Sequence, residues 1–250
     1  MYEAVAEFVG KRLNMPVTIE ECDDYERWAE ADLDDVHFVC SLPYVELAKR
    51  GTPPLEVIAA PVLDGERYGG KPVYYSDVIV ARDAPFGSFA DLRGTRWAYN
   101  EPQSHSGYGI TRYTLVRMGE TNGFFGEVIE AGFHQDSIRW VAEGRVDASA
   151  IDSQVLEVEL RDHPEIADGI KVIESLGPST IQPVTVATRL PDGMRREIQK
   201  ALLEMGDHPD GRESLHLGLV RRFVPADDAS YKDIREMVEA CEAAGFLELR

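Results

Sequence analysis

Basic residues are scarce: 26 Lys and Arg stand against 45 Asp and Glu, a formal net charge of −19. A surface of that sign repels nucleic acid and anionic membrane, which excludes both as partners. Cysteine is scarcer still, and the three present, Cys22, Cys40 and Cys241, cannot all pair. None forms a C-x-x-C and no His or Cys lies at zinc-ligand spacing, so neither metal nor cofactor is predicted. Cys40, in an apolar run, reads as a small buried residue. No apolar run approaches the ~20 residues that cross a bilayer. There is no G-x-S-x-G elbow, Walker loop or H-E-x-x-H, so no catalytic residue is assigned. The first nine residues carry acids and lack the basic and apolar regions of a signal peptide.

What is present is a long alternation. With 250 residues, 44% of them apolar, the chain has material for one large lobe or two small ones. Helical periodicity covers residues 1–13, 24–32 (capped by Asp23 or Asp24), 44–50, 108–118, 136–143, 153–161, 192–205, 210–217 and 229–244. β-like runs cover 17–20, 36–40, 55–61, 73–81, 95–99, 128–131, 148–151, 172–175 and 183–188. Strands alternating with helices predict an α/β fold with mixed, mostly parallel sheets. The runs at 73–81 and 183–188 suit two β crossovers. They bound a continuous lobe two at 82–182, with a discontinuous lobe one from 1–81 plus 183–250. In open parallel sheets ligands bind beyond the carboxyl ends of the strands, here in a cleft between the lobes.

The most informative stretch is Y-N-E-P-Q-S-H-S-G-Y at residues 99–108. It joins a strand to a helix, placing Ser104, His105, Ser106 and Gly107 at the first helical turn. Backbone N–H groups there lack intrahelical partners and the macrodipole adds partial positive charge. Two hydroxyls supply further donors, and Gly107 permits close approach to the backbone, so the turn is suited to an oxyanion. The simpler reading makes Ser104 or Ser106 an N-cap. The acidic surface opposes long-range capture of an anion, so such a site must work through short hydrogen bonds; salt screens the surface charge beyond roughly 8–10 Å.

A series of segments in order carries a family resemblance: Y-E-A-V-A-E-F-V-G-K-R-L-N-M-P-V at 2–17, L-P-Y-V-E-L-A at 42–48, Y-Y-S-D-V-I-V at 74–80, D-L-R-G-T-R-W-A-Y at 91–99, the S-H-S-G turn, and G-F-H-Q-D-S-I-R-W-V-A-E-G-R-V-D-A-S-A-I-D at 132–152. Together they resemble the substrate-binding proteins of phosphonate, phosphite and phosphate ABC transporters (PhnD-like), which have the two-lobed type 2 periplasmic-binding-protein fold. The resemblance implies a small tetrahedral oxyanion as ligand, with an ABC permease and ATPase as partners. It implies ligand contacts from Ser104, Ser106 and Gly107; His105 stands where the family has threonine. It adds Tyr44 as an aromatic wall, Tyr75 as a donor from the crossover strand, His134 at a second helix start, and Asp152 as an acceptor. Phe133 stands before His134 where the family has serine. Each has a plainer alternative: Tyr44 a core tyrosine, His105 pointing to solvent, His134 structural, Asp152 an N-cap. Arg112, Arg139 and Arg145 are expected on solvated faces, and Asp147 in a structural turn.

The family begins with a strand before its first helix, whereas here Met1 falls at that helix. The expectation is that the first strand of lobe one and an export signal lie upstream, which implies an extracytoplasmic protein; a start at Met1 itself implies a cytoplasmic one. The alternatives carried forward are a cytosolic enzyme of the same fold in thiamine-pyrimidine or menaquinone synthesis, with His105, His134 and Asp152 as acid–base groups, and a sensory binding protein.

Overall fold

The parallel core of the chain is built where a strand, a tight turn and an amphipathic helix repeat in succession. In this computed structural model the described residues are 1–20, 34–51 and 54–249. The strands are β1 (Val36–Phe38), β2 (Leu55–Leu63), β3 (Val73–Ala81), β4 (Arg96–Tyr99), β5 (Glu127–Glu130), β6 (Ala148–Asp152), β7 (Ile170–Thr180), β8 (Val184–Ala187) and β9 (Val220–Pro225). The helices are α1 (Tyr2–Leu13), α2 (Ser41–Lys49), α3 (Ile110–Met118), α4 (His134–Ala142), α5 (Ser153–Asp162), α6 (Ile166–Gly169), α7 (Asp192–Glu204), α8 (Pro209–His216) and α9 (Lys232–Ala243). The chain divides into a first unit, Met1–Val73 with Thr180–Lys232, and a second, Tyr74–Ser179 with Asp233–Arg250.

The second unit holds a five-stranded sheet in the order β5-β4-β6-β3-β7. β4 runs parallel to both β5 and β6, and β3 runs antiparallel to β6. Side chains alternate across the sheet. Val78, Val80, Ala148 and Ala150 enter one core together with Phe89, Trp97, Phe124 and Phe125. Ile79, Ala98 and Ile151 enter a second core with Ile138, Val141 and Leu156 from the covering helices. In the aromatic core Phe89 stacks on Phe124 with ring centroids 5.7 Å apart, and Trp97 stacks on Phe125 at 4.6 Å. On α4, Ser137, Ile138 and Val141 form the buried stripe, the three- and four-residue spacing of a helix with one face inward.

The first unit holds a four-stranded sheet in the order β1-β8-β2-β9, and each pairing in it is antiparallel. β2 is buried at eight of its nine positions and β8 at all four, as expected of interior strands covered on both faces.

Several expectations change here. Parallel pairing, expected to dominate, joins β4 to β5 and β6, while β1 with β8, β8 with β2, β2 with β9 and β3 with β6 are antiparallel. Residues 17–20 form no strand: Val17 and Ile19 alternate as a strand requires, but they are 47% and 42% exposed and have no ladder partner among the described residues. β9 was not expected; its run V-R-R-F-V-P carries two arginines that blunt the alternation. Lobe two, expected at 82–182, corresponds to a unit that opens at Tyr74 and regains the chain's end. Residues 233–250, expected in lobe one, pack in the second unit because Phe246 and Leu249 join its aromatic core. Cys40 is half-buried at the N-cap of α2 rather than inside a strand. The helix expected at 24–32, its caps and Cys22 lie outside the described residues. Among the described residues, no helix is long and apolar enough to cross a membrane, and no cluster of His, Cys, Asp and Glu is arranged to hold a metal.

Candidate functional site

The three parallel strands of the second unit end at Tyr99, Glu130 and Asp152, and each end leads into a turn that starts a helix. The candidate residues cluster there because the βα repeat brings these turns to one edge of the sheet. Salt-bridged Asp147 fixes the opposite end of β4: it accepts the Arg96 backbone N–H at 2.8 Å and the guanidinium at 2.8 and 3.2 Å. The hydrogen bonds from Arg96 hold its carboxyl below the usual carboxylate range, so Asp147 is structural, as expected.

After β4 the backbone makes a wide π-helical turn over His105–Gly109, in which the Gly109 N–H reaches the Ser104 carbonyl at 2.9 Å. Such widened turns occur often at functional sites. Ser104 caps it, its Oγ accepting from the Gly107 N–H at 3.1 Å. Ser104 Oγ lies 3.3 Å from Ser106 Oγ, and Ser106 Oγ lies 2.9 Å from His134 Nε2. Ser104 and Ser106 are each 4% exposed. Ser104 therefore both closes the turn and contacts the second hydroxyl, so the cap does not compete with its place in the candidate set. Gly107 is required sterically: a Cβ there would stand 2.0 Å from Asn100 Oδ1.

His134 opens α4 and brings its imidazole to Ser106 from the second strand end. Burial alone lowers its pKa from the ordinary 6.5 to about 4, so it is neutral near pH 7. A neutral ring protonated on Nε2 donates to Ser106 Oγ and leaves the hydroxyl hydrogen for another acceptor. Protonated on Nδ1, it accepts that hydrogen instead. Ser106 therefore joins the two strand ends through one hydrogen-bonded chain, Ser104–Ser106–His134.

The other candidates sit differently. His105 turns inward, 1% exposed, with Nε2 3.0 Å from Ser179 Oγ and its ring 6.4 Å from that of Tyr74. Burial first, then the charge of Arg112, lowers its pKa to about 3. His105 does not point to solvent, and it does not join the hydroxyl chain. Asp152 caps α5, its carboxylate accepting from the Gln154 N–H at 2.8 Å and the Val155 N–H at 3.4 Å. Tyr75 is half-buried and its backbone N–H donates to Ser153 Oγ at 3.1 Å; its neighbour Tyr74, on the other face of β3, is fully buried and nearer His105. In the first unit Tyr44 is 1% exposed, donates to Asp228 Oδ1 at 2.6 Å and packs edge-on against Tyr231. Those contacts are those of a core tyrosine.

Arg139 pairs with Asp136, and Arg145 lies over the Trp140 ring at 4.1 Å. Arg112, expected on a solvated face, is half-buried over the Tyr108 ring at 5.1 Å and donates to the Leu247 carbonyl. Sequence reading missed Ser179 and Asn100. Ser179 lies 74 residues from His105, near the end of β7, so no local motif connects them. Asn100 follows a strand end and had only the adjacent glycine turn as a signal.

With this geometry in hand, the comparison with known proteins is direct: residues 1–231 match the family described as "ABC transporter, phosphonate, periplasmic substrate-binding protein". The chain belongs to that family. Its relatives include the probable ABC transporter phosphite binding protein PhnD1 of Prochlorococcus marinus (strain MIT 9301), 24% identical over 205 residues. The match takes in 76% of this chain and spans 66% of that protein's length. The solved structure of PhnD1 from the same organism, in complex with methylphosphonate, superposes with a TM-score of 0.84 at 20% identity, covering 96% of this chain and 92% of that one. A binding protein component of an ABC phosphonate transporter from Pseudomonas aeruginosa gives 0.81 at 19% identity, covering 95% and 79%. At those identities the structural likeness establishes the shared type 2 periplasmic-binding-protein fold. The family is one of substrate-binding proteins rather than enzymes.

Proposed function

We propose that this protein captures a small tetrahedral phosphorus oxyanion, a phosphonate, phosphite or phosphate, and hands it to an ABC permease and its ATPase outside the cytoplasm. The observation that carries the reading is the chain Ser104–Ser106–His134, its two hydroxyls buried and its imidazole half-buried, which gathers neutral donors from two strand ends around the π-helical turn. Oxyanions need several converging donors, and a hydrogen bond to a charged group contributes about 1.5–3 kcal/mol. The family described over residues 1–231, and the methylphosphonate named with PhnD1, support the same ligand class. In this reading Ser104, Ser106, Gly107 and His134 form the head-group site. The enzymatic alternative has no support in the family.

The test is a thermal-shift and calorimetric screen against phosphate, phosphite, methylphosphonate, 2-aminoethylphosphonate and sulfate, since a ligand of the native state raises the melting temperature by mass action. One phosphorus oxyanion should bind selectively, and Ser106→Ala should weaken it by roughly 10- to 100-fold, the loss of one charge-assisted bond. Equal affinity in Ser106→Ala would remove the turn from the binding site.

A further inference from the structure

We propose that the head-group site takes up one proton with its anion, and that His134 carries it. The inference rests on the functional reading above and concerns how that same site balances charge.

Every group in the hydroxyl chain is neutral. Among the described residues, no Lys or Arg hydrogen-bonds to Ser104, Ser106 or His134. Several charged groups on the surrounding elements have partners of their own. On α4, Asp136 pairs with Arg139. On α5, Glu159 accepts from Gln135, and Asp152 caps the helix. At the end of β5, Glu130 accepts from Tyr99. Arg112 on α3 lies over Tyr108 and bonds the Leu247 carbonyl. A doubly charged anion brought to this site would exchange its hydration for uncharged donors alone, which is costly without a counter-charge. The group able to supply one in direct contact with the hydroxyls is the imidazole of His134.

The bonding geometry makes that protonation productive. An imidazolium can only donate, so with Nε2–H directed at Ser106 Oγ, 2.9 Å away, Ser106 cannot donate back to the ring, and its own hydrogen is left for the anion or for Ser104 Oγ at 3.3 Å. One proton thus both places a positive charge beside the anion and removes the tautomer in which the ring takes the hydroxyl hydrogen. The other ring nitrogen, Nδ1, is buried and has no hydrogen-bond partner, so nothing stabilises the imidazolium before the anion arrives. Burial keeps the ring neutral until then, and a neighbouring negative charge reverses that preference. His105 does not compete for the proton: Nε2 is held on Ser179, and the Arg112 charge opposes protonation. The step is a plain proton transfer from solvent to an imidazole lone pair, with no covalent bond broken in the ligand.

The deciding measurement is calorimetry of methylphosphonate binding to the full chain, in buffers of different ionisation heat, at pH values above the ligand's second ionisation. The expected result is uptake of about one proton per ligand, with affinity weakening roughly tenfold per pH unit as the site's proton becomes harder to supply. His134→Gln keeps a neutral donor near Ser106, and should bind more weakly, without uptake and without that pH dependence. Binding with no uptake in the unaltered protein overturns the inference and leaves the functional reading standing. Uptake that persists in His134→Gln overturns it too, because the proton then resides on the ligand. If His134→Gln does not fold, 15N NMR of the unaltered protein decides: His134 should pass from neutral to imidazolium on addition of methylphosphonate, and a ring that stays neutral refutes the proposal. Absence of binding by every oxyanion at every pH would reject the functional reading itself.

Discussion

The two units bury polar side chains to different ends. In the first, the Tyr44 hydroxyl is committed to Asp228, joining α2 to the 3-10 turn Asp228–Tyr231, and the Tyr231 hydroxyl joins that turn to the Ile181 carbonyl. In the second, Ser104, Ser106 and His134 bond chiefly to one another, at the ends of parallel strands seated on an aromatic core. The difference follows from topology. Antiparallel strands return at once and their ends are used up in connections. Parallel strands end together, each giving way to a helix start whose N–H groups face the same edge. Buried polarity in the first unit ties helical segments together, whereas in the second it gathers hydroxyls and an imidazole at the strand ends.

The sharpest way to break that contrast is Gly107→Ala. The added Cβ would collide with Asn100 Oδ1, so either the π-helical turn or Asn100 must move. Overpacking of this kind costs ~1–3 kcal/mol, and the moved turn should lose most oxyanion affinity. The double variant Asn100→Ala with Gly107→Ala should recover part of both losses, a coupling that a double-mutant cycle reads directly. Additive effects in that cycle would mean the glycine serves something other than room for Asn100.

Acid tests the second unit next. His134 and His105 have folded pKa values of about 4 and about 3, both below the ordinary 6.5. Below 6.5 the unfolded chain binds protons that the folded chain refuses, so stability falls as pH drops from about 6.5 toward 4. Both histidines belong to the second unit; in the first, burial also lowers the pKa of His37, so the His134 substitution is what isolates the second unit's share. Urea unfolding across that window, without ligand, should show the decline, and His134→Gln should make it shallower. A slope unchanged by the substitution would mean that His134 is not held neutral in solution.

Much of the second unit is legible in the sequence because its units are local. The D-L-R-G-T-R-W-A-Y strand, the S-H-S-G turn and the helix after it lie within about thirty residues, so period and turn chemistry identify them together. Ser104 and Ser106 could be named as donors on that basis, with His134 joined to them by the family resemblance. The inward turn of His105 could not, because Ser179 and Tyr74 are distant in sequence and their contact is decided by the antiparallel β3 and by β7. The first unit was read less well for the same reason: β9 and the assignment of residues 233–250 depend on long-range pairing and on which core receives Phe246. Asp152 was legible as a residue at a strand end, but its cap and its ligand roles predict the same sequence.

Tyr44→Phe probes the first unit. It removes the hydrogen bond to Asp228 while keeping the ring against Tyr231, so the expected loss is about 0.5–1.5 kcal/mol of stability. The lower end applies because Asp228 is exposed and regains water. A core role for Tyr44 confines the effect to unfolding; an aromatic wall for the ligand would instead show in the calorimetric affinity.

The smallest effect is expected at Phe133, and its sign is the informative part. Phe133 occupies the N-cap of α4 with extended dihedrals, φ −123° and ψ 156°, and offers no side-chain acceptor to the first turn. Its ring is 70% exposed, so little apolar burial is lost on truncation. Phe133→Ser would supply a capping oxygen within reach of the next N–H groups, for a gain of about 0.5–1 kcal/mol. In a chain of this size that is a rise of roughly 1–4 °C in melting temperature. Such a rise would identify Phe133 as a residue that costs its own unit stability at the edge of the donor set, in contrast to Tyr44, whose packing repays its burial. A fall would mean that the ring is covered in solution, and that the second unit, like the first, uses its aromatic residue at this position for packing.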